Sequence, residues 1–251
     1  MADVEVRCKL ESLAGYTLVM GFPDVGLAGA IAAEHISAKA GMREVGHIQS
    51  DRLVPLAVVE EGIVARPISI YVSKRRKLVL IRSYVHLPPR LAHEVSRAVV
   101  GWAHESGITE VICFAGVLIE EGQDGGDDVY VATTTGEALN GDRLQRLLNR
   151  DGVYPWTGSV YGFVGQVLLD CIDVDLPAVS LVVETRADYP DARAAATCIR
   201  TLNRYLNLRI DLEPLMEEAN LIEGQMKSVM DHASRLHQQM EQTTSANLMF
   251  R

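Results

Sequence analysis

No run of apolar residues in this chain reaches the roughly 18 to 20 that a membrane span needs. The first residues, Met1 to Glu5, show no basic region followed by an apolar stretch, so no secretory signal is expected. Cysteine is sparse. Cys8, Cys113, Cys171 and Cys198 never form a C-x-x-C pair, and three of them sit in apolar runs. Reduced, buried thiols in a cytoplasmic protein follow from that pattern. Aromatics make up only 6% of the chain, too few to suggest a stacking platform for single strands. Basic charge is also in deficit: 24 Lys and Arg stand against 33 Asp and Glu, a formal net charge of −9. That balance argues against nucleic acid as a partner, because such binding needs a basic footprint. What is present is ordinary for a folded domain, with 48% apolar and 23% charged residues. A chain of 251 residues, one large domain or two small ones, buries enough surface to need no metal or disulfide staple.

Hydrophobic periodicity predicts strands alternating with helices. Val4, Val6, Cys8 and Leu10 alternate with Glu5, Arg7 and Lys9, which reads as a half-exposed strand. Thr17 to Phe22 is a short buried run, followed by a tight turn and a helix of small apolar residues from Val25 to about Lys39. Residues 56–59, 63–65, 68–73 and 78–82 read as antiparallel strands, with turns at Gly62 and Lys74 to Lys77. A helix is expected over 90–105 after Pro88 and Pro89, and others over 137–149, 159–171 and 191–206. Strands are expected at 111–115, 129–133 and 178–183. The expected architecture is therefore α/β: a three-layer α/β/α sandwich with a mostly parallel sheet.

The first 210 residues form this core, and residues 211–242 change character. Leu215, Ile222, Val229 and Leu236 recur every seventh residue, and Ala219, Met226, Ala233 and Met240 interleave at the other heptad position. A long C-terminal helix of roughly 48 Å is expected. Its seam fits self-association into a homo-oligomer, slightly ahead of an amphipathic helix lying along its own domain. The tail, 243–251, is polar until Leu248, Met249, Phe250 and Arg251. Apolar residues at a polar terminus gain nothing unless something captures them or they fold back on the protein.

The sequence offers few candidates for chemistry. The stretch Gly21-Phe22-Pro23-Asp24-Val25-Gly26-Leu27-Ala28-Gly29 invites a phosphate-loop reading. A P-loop has Lys and Ser or Thr where Leu27 and Ala28 stand here, and Gly21 has no glycine two residues on for a dinucleotide fingerprint. Amides at this helix start are able to hold an anion. Close approach of the helix to the sheet through Gly26 and Gly29 is the preferred account. Among the seven histidines there is no H-E-x-x-H and no zinc spacing, so no metal is expected. His86, after a strand, is the best acid–base candidate, and a loop histidine satisfied by a neighbour is the plainer reading. The loop 116–128 carries five acids without EF-hand spacing, and a solvated loop accounts for it. No G-x-S-x-G nucleophile is present, and spacing alone assembles no catalytic set.

Four stretches together resemble the archaeal proteasome assembly chaperone homologues. They are residues 21–29 as given above, the strand ending in Gly116, the segment from Val160 through Gly162 and Gly165 to Leu169, and the segment from Glu184 through Pro190 and Asp191 to Ala196. The resemblance covers about residues 12–220. It implies a sandwich similar to the nucleoside phosphorylase-like fold. It also implies a binding protein, with no cofactor, whose partners are the α-subunits of the proteasome core particle. Tails in that family that end in an apolar residue, Tyr and any residue enter pockets between α-subunits. The matching positions here are Met249, Phe250 and Arg251, with Phe in place of Tyr. The alternative is an ATP- or nucleoside-dependent enzyme, ligase-like or phosphorylase-like. Its site would gather Asp24, Arg82, His86, Glu120 and Glu184 at the carboxyl ends of the strands.

Overall fold

The computed structural model describes residues 4–60, 62–118, 127–136, 142–185 and 190–217. In chain order the elements are β1 (Val4–Cys8), β2 (Thr17–Gly21), a short 3-10 turn (Val25–Leu27), α1 (Ala28–Lys39), β3 (Arg43–Ser50), β4 (Val58–Glu60) and β5 (Ile63–Ala65). Then follow β6 (Ile68–Ser73), β7 (Leu78–Ser83), α2 (Pro89–Glu105), β8 (Glu110–Leu118), β9 (Val129–Thr133) and α3 (Asp142–Leu148). The series closes with β10 (Val153–Pro155), α4 (Gly162–Asp173), β11 (Ala178–Thr185) and α5 (Ala192–Leu206).

Nine strands form one sheet in the order β1-β3-β6-β7-β2-β8-β11-β9-β10. Its centre, β7-β2-β8-β11, is parallel. Antiparallel pairings carry it outward through β6, β3 and β1 on one side and β9 on the other. The sheet is thus mixed, with a parallel heart, where the sequence pattern predicts a mostly parallel one. The reason is local: a tight turn joins β6 to β7 and pairs them antiparallel, while β9 and β10, joined through α3, pair in parallel at the edge. Strands β4 and β5 form a separate two-stranded ribbon whose Val59, Ile63 and Val64 side chains are exposed.

Alternation assigns the two faces. Leu18, Met20, Ile81, Val111, Cys113 and Val182 belong to one cluster with Val95 and Val99 of α2 and Val164 and Val167 of α4. Between them Leu18 and Val19, Leu80 and Ile81, Val111 and Ile112 are all fully buried, so both faces of the central strands are covered. The second face packs on α1 and α5, which also touch each other. Proline at the start of α2 suits its first turn, where the missing N–H is not needed. A buried polar tie links α2 to α4: Ser96 Oγ donates to Asp170 Oδ2, and Gln166 Nε2 donates to Asp170 Oδ1 at 2.8 Å. The four cysteines are free, and burial pushes the Cys113 and Cys198 thiols far up and that of Cys171 to about 12.

The chain divides between Leu212 and Glu213 into two units. Every element above belongs to the first. In the second, residues 213–217 are helical, and Leu215 lies in that stretch. The remaining heptad positions lie outside the described residues. Among the described residues no helix is long and apolar enough to cross a membrane.

Candidate functional site

The carboxyl ends of β2, β8 and β11 open onto a cavity of about 610 Å³. Open α/β sheets place ligands at this end of their strands. The walls are mainly apolar: Phe22 after β2, Leu87 before α2, Ala115 to Leu118 of β8, and the segment Trp156 to Val164 leading into α4. The rings of Phe22 and Phe163 pack with centroids 4.0 Å apart. Leu118 and Tyr161 line the cavity while being 60% and 85% exposed. The indole Nε1 of Trp156 is buried and has no hydrogen-bond partner among the described residues.

Two glycines shape this cavity by what they lack. A Cβ on Gly165 would lie 2.2 Å from the carbonyl oxygen of Val160, so only glycine lets the 156–161 segment fold back on α4. A Cβ on Gly116 would lie 2.4 Å from the carbonyl oxygen of Val25, so only glycine lets the β2–α1 turn rest on β8.

Asp24 fastens that turn. Its Oδ1 accepts the Gly29 N–H at 3.2 Å, and its Oδ2 accepts the Gly116 N–H at 2.6 Å. Burial pushes its carboxyl up to about 7, against the opposing pull of those two N–H donors. The chain's own carboxylate therefore sits where the sequence allowed an anion at the start of α1. The expected close approach is found at Gly29, where a Cβ would meet the Phe22 carbonyl oxygen at 3.0 Å and Phe114 Cβ at 3.4 Å. Gly26 serves differently: its φ is +67°, and Leu27 follows at +56°, a left-handed pair that turns the chain into α1. A left-handed leucine is strained by about 1–3 kcal/mol. The turn is held by Leu27 N–H to the Asp24 carbonyl at 3.1 Å and Asp191 N–H to the Gly26 carbonyl at 2.8 Å.

The five residues of the enzymatic alternative do not gather in one place. Asp24 and His86 line the cavity. Arg82 is buried on the α1 face, where its guanidinium lies 5.1 Å from the Tyr71 ring and 4.6 Å from that of Tyr84, and its Nη1 donates to Ser37 Oγ at 3.4 Å. Glu184 accepts a hydrogen bond from the Tyr130 hydroxyl at 3.2 Å. Glu120 lies outside the described residues. Among the described residues no group of three or more His, Cys, Asp or Glu is placed to hold a metal ion. The expected oligomer seam at Ala219, Ile222, Met226, Val229, Ala233, Leu236 and Met240, and the tail at Met249, Phe250 and Arg251, also lie outside the described residues. The sequence places a site at this end of the strands, with Asp24 and His86, but not its apolar walls. Their one legible signal is the run Val160 to Gly165, whose glycines sit beside exposed apolar side chains.

Residues 18–230 match the model of the PAC2 family. The chain belongs to the PAC2 family. It is similar over 95% of its length to the crystal structure of Pyrococcus furiosus PbaA, an archaeal homologue of proteasome-assembly chaperone. That likeness has a TM-score of 0.80 at 27% identity and spans 97% of the PbaA chain. Pyrococcus furiosus PbaB, an archaeal proteasome activator, shares the fold with a TM-score of 0.79 at 21% identity, over 92% of this chain and all of its own. An uncharacterized protein of Methanocaldococcus jannaschii, MJ0106, is 24% identical over 214 residues, 85% of each chain. This PAC2 chain thus has a mixed α/β fold shared with archaeal homologues of proteasome assembly chaperones.

Proposed function

We propose that this PAC2 protein is a binding partner of the proteasome, an assembly chaperone or activator-like protein that engages α-subunits of the core particle. The observation that carries this reading is the family match over residues 18–230, joined to the likeness to PbaA over 95% of the chain. In this reading Met249, Phe250 and Arg251 enter pockets between α-subunits, with the terminal carboxylate captured there. The heptad positions from Leu215 to Met240 join copies of the chain into a homo-oligomer, so that several tails act together. No catalysis is required in this reading.

A pull-down of isolated α-subunits and of assembled core particle tests the reading. Full-length protein is expected to retain both or either, and a chain ending at Leu248 to retain less. Equal retention by the two forms overturns the role of the tail. Retention by neither overturns the proteasome partner.

A further inference from the structure

A second cavity, of about 390 Å³, is built of opposite chemistry. Arg143, Arg146, Arg150 and Arg204 line it, with Leu147 and Leu206 as an apolar wall. It lies at the other end of the sheet. Glu110, the first residue of β8, is bonded to Arg143, whereas Ala115 to Leu118 of the same strand line the apolar cavity. Six residues of strand put roughly 20 Å between the two sites.

Four arginines on one small cavity are against the trend of a chain whose net charge is −9. Arg143 and Arg146 share a face of α3 by their three-residue spacing, Arg150 follows the end of that helix, and Arg204 comes from the last turn of α5. Arg143 is anchored: its Nη1 is 3.2 Å from Glu110 Oε2, its guanidinium sits 4.8 Å from the centroid of the Tyr205 ring, and the Tyr205 hydroxyl donates to Glu110. Arg146, Arg150 and Arg204 form no ion pair among the described residues. The carboxyl-terminal ends of α3 and α5 add at most about half a negative charge each. With Glu110 counted as well, about two positive charges stand uncompensated.

We infer that this cavity binds the phosphate monoester of a small molecule. Such a group carries about −1.5 to −2 at pH 7 and offers three acceptor oxygens, which matches the uncompensated charge. Planar guanidinium groups engage those oxygens in pairs. A carboxylate brings one charge and leaves the set half balanced. The cavity's volume admits a phosphate and a body of a few carbons against Leu147 and Leu206.

The test is a calorimetric titration of the full chain at physiological salt with inorganic phosphate, glycerol 3-phosphate and a phosphoserine hexapeptide. Saturable, one-to-one binding of glycerol 3-phosphate is expected. R146A/R150A is expected to weaken it about 10-fold or more, because two charge-assisted contacts are removed. R146K/R150K, which keeps the charges and loses the paired geometry, is expected to weaken it several-fold. R97A, an exposed charge on α2, is expected to leave it unchanged. Circular dichroism checks that the variants keep the wild-type melting temperature. Absence of saturable binding by all three ligands overturns the proposal, as does binding that R146A/R150A retains in full. Tighter binding of the peptide than of glycerol 3-phosphate overturns the small-molecule source and reassigns the cavity to a phosphorylated protein segment.

Discussion

Asp24 is where three parts of the core meet: the end of β2, the start of α1 through Gly29 and the carboxyl-terminal part of β8 through Gly116. Burial raises its carboxyl from an ordinary 3.8 to about 7, so desolvation outweighs the two N–H donors. Because the folded value lies above the unfolded one, proton binding favours the fold. That contribution is complete below about pH 4 and is lost as the pH rises through about 7. Asp24→Asn removes the titration. The stability of the wild type relative to this variant should therefore fall by about 3 kcal/mol between pH 4 and pH 7, read from urea unfolding at each pH. A difference that stays flat over that range would show that Asp24 keeps the same proton affinity folded and unfolded. Glycines give a sharper geometric test. A Cβ on Gly21 would lie 2.3 Å from both Ala33 Cβ and the Gly29 carbonyl oxygen, neither of which is a flexible side-chain end. Gly21→Ala should lower stability by about 1–3 kcal/mol. Gly101, in the middle of α2, meets nothing within 4 Å, and Gly101→Ala should raise stability by about 0.5–1 kcal/mol. A common sign for the two substitutions would overturn the close-approach account of Gly21.

Helix α5 shows how one element fixes others. Asp191 caps it, its Oδ1 accepting the Ala194 N–H at 2.8 Å, while its Oδ2 accepts the Thr185 hydroxyl at the end of β11 at 3.1 Å. Its own N–H holds the left-handed Gly26 turn. Asp191→Ala should cost about 0.5–2 kcal/mol as a lost cap, visible as a lower urea midpoint, and Asp191→Asn should recover part of it. A loss no larger than that of an exposed substitution would show the cap to be dispensable. This helix was legible in the sequence because its start has a capping residue and its apolar positions keep a helical period. β6 to β9 and β11 were legible for the same kind of reason: their apolar runs are bounded by turn residues. β3 was not. Its buried residues, Val45 and Ile48, are three apart because a bulge between Glu44 and Gly46 breaks the alternation on which a strand is recognised. Gly46 sits there because a Cβ would lie 2.1 Å from the carbonyl oxygen of Arg7 on β1. β10 is three residues long and ends in Pro155 at the sheet edge, too short for any period to register. The walls of the large cavity were illegible for a different reason. They come from segments as far apart as Phe22, Leu87 and Trp156, and only the strand order brings them together.

At the scale of the whole molecule the sheet has two chemically distinct ends, an apolar cavity at the carboxyl ends of its central strands and an arginine-lined cavity near the start of β8. In the proposed contact Phe250 takes the place of the Tyr that the resemblance implies for such tails, and adding a hydroxyl there would restore one hydrogen bond worth about 0.5–1.5 kcal/mol. Phe250→Tyr should therefore tighten binding to the core particle by about 2- to 10-fold for each tail engaged. Coupling between tails sets how much of that gain is seen. Ile222→Asp with Val229→Asp places charge in the proposed heptad seam and, if that seam joins copies of the chain, should reduce the proposed homo-oligomer to single chains, measured as a fall in mass by light scattering. A single chain loses the effective concentration that linked tails share, a loss on the order of 100-fold or more. The double Asp variant should accordingly bind more weakly than the wild type even when it also carries Phe250→Tyr. Binding that survives the loss of mass undiminished would place the contact on the α/β core, and the tail would then be an accessory to a surface that a single chain already presents.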